Sequence, residues 1–86
     1  CFGIAGPVKN DRVEASNLPW VIDARELSEA LSLPVVWLIN DLEANAYGAA
    51  ALRKKDFEVL NAGVPDEHGN AAIISAGTGL GEAGFY

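Results

Sequence analysis

The run Val35-Val36-Trp37-Leu38-Ile39 is apolar without alternation, and it passes at once into Asn40-Asp41 and an alanine-rich stretch from Leu42 to Leu52. An unbroken apolar run with β-branched residues at its start predicts a strand covered on both faces, as in a parallel sheet flanked by helices. The stretch that follows is rich in alanine and leucine, which lose little entropy in a helix, so a helix is expected over residues 42–52. Strand, polar pair, helix is the building unit of α/β folds, and that is the class this chain is expected to adopt: α/β, a mixed sheet with flanking helices.

The rest of the chain fits around that unit. Phe2-Gly-Ile-Ala is a short apolar run ending at Gly6-Pro7, and Arg12-Val-Glu-Ala alternates polar with apolar. With Lys9-Asn10-Asp11 as the turn, these two runs are expected to pair antiparallel. Pro19 makes Asn17-Leu18-Pro19-Trp20 a structured loop. Asp23 and Glu26 have capping-box spacing and open a helix over 24–32, which Pro34 stops. Further strands are expected at about 57–61, 71–76 and 82–86, in addition to 1–6, 12–16 and 35–39. Trp37 is expected in the core, and Cys1 is expected to be buried.

Composition removes several classes of function. Twelve acidic and six basic side chains leave a formal charge of −6, which argues against nucleic acid as the main partner. The one basic cluster, Arg53-Lys54-Lys55, is flanked by acids. The apolar run Leu33–Ile39 contains Pro34 and falls far short of the ~20 residues a bilayer span needs, so no membrane association is expected. A single cysteine cannot form an internal disulfide, and no charged-then-apolar leader opens the sequence, so a cytoplasmic location is the expectation. Eighty-six residues without a methionine, beginning at Cys1 and ending in Gly84-Phe85-Tyr86, are expected to be a segment of a longer protein.

Two places carry candidate chemistry. Asn40-Asp41 lies at the carboxyl end of a strand and the start of a helix, where α/β sheets bind ligands. A carboxylate there can cap the helix, take a proton from a substrate hydroxyl, or serve the first while poised for the second. Asn40 beside it offers a donor and an acceptor to a polyol. The second place is Gly77-Thr78-Gly79-Leu80-Gly81, where glycines permit left-handed torsions and let backbone N–H groups approach a phosphate. Thr78 adds a hydroxyl. No Gly-Lys-Ser/Thr follows, so this is not a Walker loop. Gly79, Gly81 and Gly84 also satisfy the dinucleotide-binding spacing, but that fingerprint needs a helix after it, whereas Glu82 to Tyr86 reads as a strand. His68 has no partners at metal-ligand spacing and reads as a surface histidine.

Ala5-Gly6-Pro7-Val8, Asn17-Leu18-Pro19-Trp20, Leu38-Ile39-Asn40-Asp41-Leu42-Glu43-Ala44 and Ser75 to Gly81, taken in order, resemble the bacterial glucokinase family. The resemblance covers essentially the whole chain. It implies an actin-like, ribonuclease H-like ATPase fold, with residues 1–52 ending a small N-terminal lobe and 53–86 beginning a large C-terminal one, hinged near 52–56. It implies transfer of the ATP γ-phosphoryl group to the 6-hydroxyl of glucose. On this resemblance Asp41 is the catalytic base and a sugar ligand, Asn40 and Asn17 are substrate-binding, and Gly77, Thr78, Gly79 and Gly81 bind the nucleotide. ATP and Mg²⁺ are the implied cofactors, with the metal held by nucleotide phosphates and water rather than by a protein cage. A homodimer is allowed in the full-length protein.

The family's first phosphate hairpin is expected before Cys1, and its further sugar-binding Glu and His residues after Tyr86. The segment alone is therefore expected to have no kinase activity. Two alternatives stand beside this reading: a sugar-sensing regulator of the same superfamily that lacks turnover, and a dinucleotide-binding fragment.

Overall fold

A computed structural model describes residues 1–86. The chain divides into two compact units, Cys1–Ala44 and Asn45–Tyr86. It is mixed α/β, with short strands and two α-helices. No helix is long and apolar enough to cross a membrane.

In the first unit, β1 (Phe2–Ile4) and β5 (Leu38–Asn40) lie parallel, with Phe2 opposite Leu38 and Ile4 opposite Asn40. A second sheet is antiparallel and contains β2 (Val8–Lys9), β3 (Arg12–Glu14) and β4 (Val21–Asp23), in that order. The expected pairing of residues 1–6 with 12–16 is therefore wrong. Its reason lies in two backbone positions. Gly6, at φ +142°, redirects the chain after β1. Asn10 and Asp11 both take left-handed torsions, at φ 52° and 58°, and close a two-residue hairpin in which Val8 faces Val13. Such primed turns match the twist of paired strands and favour Asn and Asp. Residues 8–9 thus take the edge of β3, and β1 is left to pair with β5. The strand β4 was not expected, since its three residues follow directly on the loop that Pro19 defines.

Asp23 begins α1 (Ala24–Leu31): its carboxylate accepts from the N–H groups of Arg25 and Glu26 at 2.9 and 3.2 Å. The helix ends at Ser32, whose left-handed backbone lets its N–H reach the last turn, much as a C-terminal glycine does. Val13, Ala24, Val36 and Leu38 form the core, with Ile4, Val8, Ile22 and Leu27 packed against it.

The run at residues 35–39 is not covered on both faces. Val36 and Leu38 are buried, whereas Val35 is 57% exposed and Trp37 62%. Trp37 is thus not a core residue. Val36 and Leu38 belong to the core cluster, whereas Val35 and Trp37 do not, so the uniformly apolar run is divided into an inner and an outer set. Cys1 is likewise exposed rather than buried.

The helix α2 (Asp41–Ala50) starts within the first unit. Gly3 faces its opening turn, where a Cβ on Gly3 would stand 2.8 Å from that of Ala44.

The second unit contains a 3₁₀ turn at Lys54–Asp56, closed by Arg53, whose backbone and side-chain N–H groups donate to Asp56. The strand expected at 57–61 does not form. Phe57 is extended, but the segment has no neighbouring edge to bond, and Leu60 is 95% exposed. β6 (Ala71–Ala76) and β7 (Leu80–Phe85) pair in full antiparallel register from Ala71–Phe85 to Ala76–Leu80. A strand, not a helix, therefore follows the glycine turn, and the dinucleotide reading fails because that fingerprint needs a helix N-terminus for the pyrophosphate.

Candidate active site

The carboxyl ends of the two parallel strands meet at Ile4 and Asn40. Beyond Ile4 comes the Ala5-Gly6-Pro7 turn; beyond Asn40 comes the first turn of α2. One side chain joins them. The Asn40 amide donates from Nδ2 to the Gly6 carbonyl at 3.0 Å, and its Oδ1 accepts from the Leu42 N–H at 3.0 Å. Asn40 is therefore the N-cap of α2, and the strand end and the turn are fastened by the same residue.

This assignment changes the expectation for both members of the pair. The donor and acceptor that Asn40 could offer a polyol each make one bond inside the chain. A second amide hydrogen and a second lone pair remain. Asp41, which on spacing alone could have been the cap, is the first helical residue. Its carboxylate makes no hydrogen bond to the chain and pairs with no basic side chain; the ion pairs present are Arg25–Glu29 and Arg53–Asp56. Asp41 is half-buried.

The loop carrying Asn17 is held at the same end of the sheet. Ser16 donates its backbone N–H to the Ala5 carbonyl at 3.0 Å, and the Ala15 N–H reaches the Trp20 carbonyl at 2.9 Å to close the loop. Asn17 is exposed and makes no side-chain hydrogen bond, and Trp20 beside it is 58% exposed. Three of the four motifs, at residues 5–8, 17–20 and 38–44, are thus linked by hydrogen bonds through the carbonyls of Ala5 and Gly6. Sequence reasoning missed the part played by these two carbonyls and by Ser16. It could have found the cap, because Asn is among the strongest N-cap residues and an acid in the next position suits a helix start.

Two surface cavities in this unit lie elsewhere. One, of about 280 Å³, is on the β2–β3 hairpin between Pro7, Lys9, Arg12 and Glu14. The other, of about 220 Å³, lies beside α1 near Asp11, Arg25 and Pro34. Neither is lined by Asn17, Asn40 or Asp41.

In the second unit, the hairpin tip is Gly77-Thr78-Gly79. The Gly77 N–H donates to the Gly79 carbonyl at 2.9 Å, while the Thr78 and Gly79 N–H groups and the Thr78 hydroxyl have no partner in the chain. The hairpin glycines, which permit left-handed torsions, do not take them; Gly6 is the glycine with positive φ. A Cβ on Gly79 would meet nothing within 4 Å, and one on Gly77 would only touch the Gly79 oxygen at 4.0 Å. The fold itself thus does not require glycine at the tip, and the space over the tip is open. His68 sits in an exposed loop whose turn is made by Asp66, and no group of three or more His, Cys, Asp or Glu residues is placed to hold a metal ion.

The first unit thus carries a carboxylate without a partner where its parallel strands end, and the second carries a hairpin tip with unbonded N–H groups. Residues 1–86 match the family model for glucokinase along their whole length, and the chain belongs to the glucokinase family. It is 46% identical over 82 residues to a glucokinase of a Nostoc species, covering 95% of this chain and 24% of that protein. A Synechocystis glucokinase is 43% identical over 82 residues, with 95% and 23% covered, and one from Mesorhizobium japonicum is 37% identical over 84, with 98% and 25% covered. The chain thus spans about a quarter of the length of these relatives. No solved structure matches it.

Proposed function

We propose that the protein to which this segment belongs is a glucokinase, transferring the γ-phosphoryl group of ATP to the 6-hydroxyl of glucose in the cytoplasm. The observation that carries the reading is Asp41, a carboxylate excused from capping by its neighbour at the ligand-binding end of a parallel strand pair. Asp41 accepts the 6-hydroxyl proton. A carboxylate is a weak base, and it suffices because phosphoryl transfer has a loose transition state in which the hydroxyl proton leaves late. Asn17, and the unused hydrogen and lone pair of Asn40, contact the sugar.

The nucleotide phosphates fall to the hairpin tip, where the Thr78 and Gly79 N–H groups and the Thr78 hydroxyl are available as donors and no side chain at Gly77 or Gly79 blocks approach. Gly81 supports that tip from the start of β7. Mg²⁺ would be held by the nucleotide phosphates and water, where it would neutralise phosphate charge. The larger frame is the actin-like ATPase fold, with residues 1–52 in one lobe, 53–86 in the next and a hinge near 52–56, whose closure keeps water from the transfer. Homodimerisation is left to the full-length protein.

The test is a coupled assay of the full-length protein with glucose and ATP, followed by Asp41→Asn. Loss of a general base lowers kcat on the order of 10²–10⁴-fold with little change in the KM for ATP. Unchanged turnover in Asp41→Asn would remove Asp41 from the mechanism. Glucose binding without any turnover in the wild type would instead mark a sugar-sensing regulator.

A further inference from the structure

We infer that Asn40 is a positioning residue: by joining the Gly6 carbonyl to the first turn of α2, it keeps the Asp41 carboxylate out of the helix cap and available to the substrate. The inference rests on the proposed role of Asp41 as base.

The reasoning starts from a competition. Every helix begins with N–H groups that lack partners in the helix, and Asp is as good a cap as Asn. In Asn40-Asp41 either residue can serve. If Asp41 capped, its carboxylate would turn onto the N–H groups two and three residues ahead, those of Glu43 and Ala44, and the helix would start one residue later. The chain selects Asn40 instead, through a bond that a carboxylate cannot make. The Asn40 Nδ2 donates to Gly6, 34 residues away in sequence, while its Oδ1 holds the Leu42 N–H. An acid in that place would present an oxygen to the Gly6 carbonyl.

Gly6 itself cannot drift. It lies at φ +142°, and a Cβ there would fall 2.7 Å from the Glu14 carbonyl oxygen. The adjacent Ala5 carbonyl is held by Ser16. The anchor is thus a fixed backbone acceptor, and the side chain fastened to it fixes where α2 begins.

Full-length variants read this directly. Asn40→Ala removes both bonds and lets Asp41 take the cap. Asn40→Ser keeps a capping oxygen but loses the donor to Gly6. We expect kcat to fall on the order of 10²-fold in Asn40→Ala, the scale of a displacement of about 1 Å, and by less in Asn40→Ser. In Asn40→Ala the glucose KM should rise as well, because the sugar contact goes with the cap, so a fall in kcat beyond that rise marks the positioning role. Amide hydrogen exchange at Leu42 should quicken in Asn40→Ala, which loses the capping oxygen, and much less in Asn40→Ser, which keeps one. In a double-mutant cycle, Asn40→Ser and Gly6→Ala should be non-additive, since they break one link.

A tenfold or larger rise in glucose KM with kcat preserved would overturn the inference and make Asn40 a sugar ligand alone. So would unchanged kcat in Asn40→Ser, which keeps its cap and tests the Gly6 bond even where Asn40→Ala fails to fold. Absence of glucose phosphorylation in the wild type would refute the kinase reading instead, and exchange at Leu42 would still report whether Asn40 holds the helix start.

Discussion

Replacing Gly6 with alanine tests the turn on which the candidate site hangs. Gly6 lies at φ +142°, a backbone conformation that a side chain strains. Holding a non-glycine residue in such a region costs about 1–3 kcal/mol. The new Cβ would also stand 2.7 Å from the Glu14 carbonyl oxygen and 3.0 Å from Val13 Cγ1. Both belong to β3, and Val13 is completely buried, so neither neighbour can withdraw without opening the core. Crowding of that kind adds about 1–3 kcal/mol, for a combined loss of about 2–6 kcal/mol.

The measurement is thermal unfolding of the full-length protein, with Gly48→Ala as the reference. A Cβ at Gly48 meets nothing within 4 Å, and alanine in a helix interior is favoured over glycine by about 0.5–1 kcal/mol. At about 2–4 °C per kcal/mol for a chain above 150 residues, Gly6→Ala should lower Tm by at least about 4 °C while Gly48→Ala leaves it level or higher. Equal Tm values for the two variants would refute the reasoning, since they would show that the β1–β2 turn relaxes freely.

Two further substitutions probe other parts of the molecule. Asp23→Ala removes the acceptor for the Arg25 and Glu26 N–H groups, and a loss of about 1 kcal/mol in denaturant unfolding is expected. Gly79→Val places a branched side chain in the open space over the hairpin tip; it should raise the KM for ATP severalfold and leave the glucose KM and the fold, followed by circular dichroism, unchanged. An unaltered ATP KM would take the tip out of the nucleotide site.

Features that rest on near neighbours in sequence were legible before any coordinates. Asp23 with Glu26 marked the start of α1 because a cap and its N–H partners lie within three residues. Ala71 to Ala76, a glycine turn and a returning strand were read as a hairpin because its first contact spans only Ala76 to Leu80. The junction of strand and helix at Asn40-Asp41 was read in the same way. What misled was pattern without partner: residues 57–61 are apolar enough for a strand, but they pair with no other strand and bend at Leu60 and Asn61. Trp37 looked like core because an apolar run carries no mark of which face will be covered.

Alone, the order of residues determined where α1 begins, where the hairpin turns, and that a carboxylate stands at a strand's end, since each depends on chemistry within a few positions. Tertiary structure decided that β1 would seek β5 and not β3, and that Asn40 would cap the helix in place of Asp41. Those choices turn on a carbonyl 34 residues distant and on a glycine torsion set by β3. A short-range pattern leaves both partners equally able; only the packing of remote backbone against them breaks the tie.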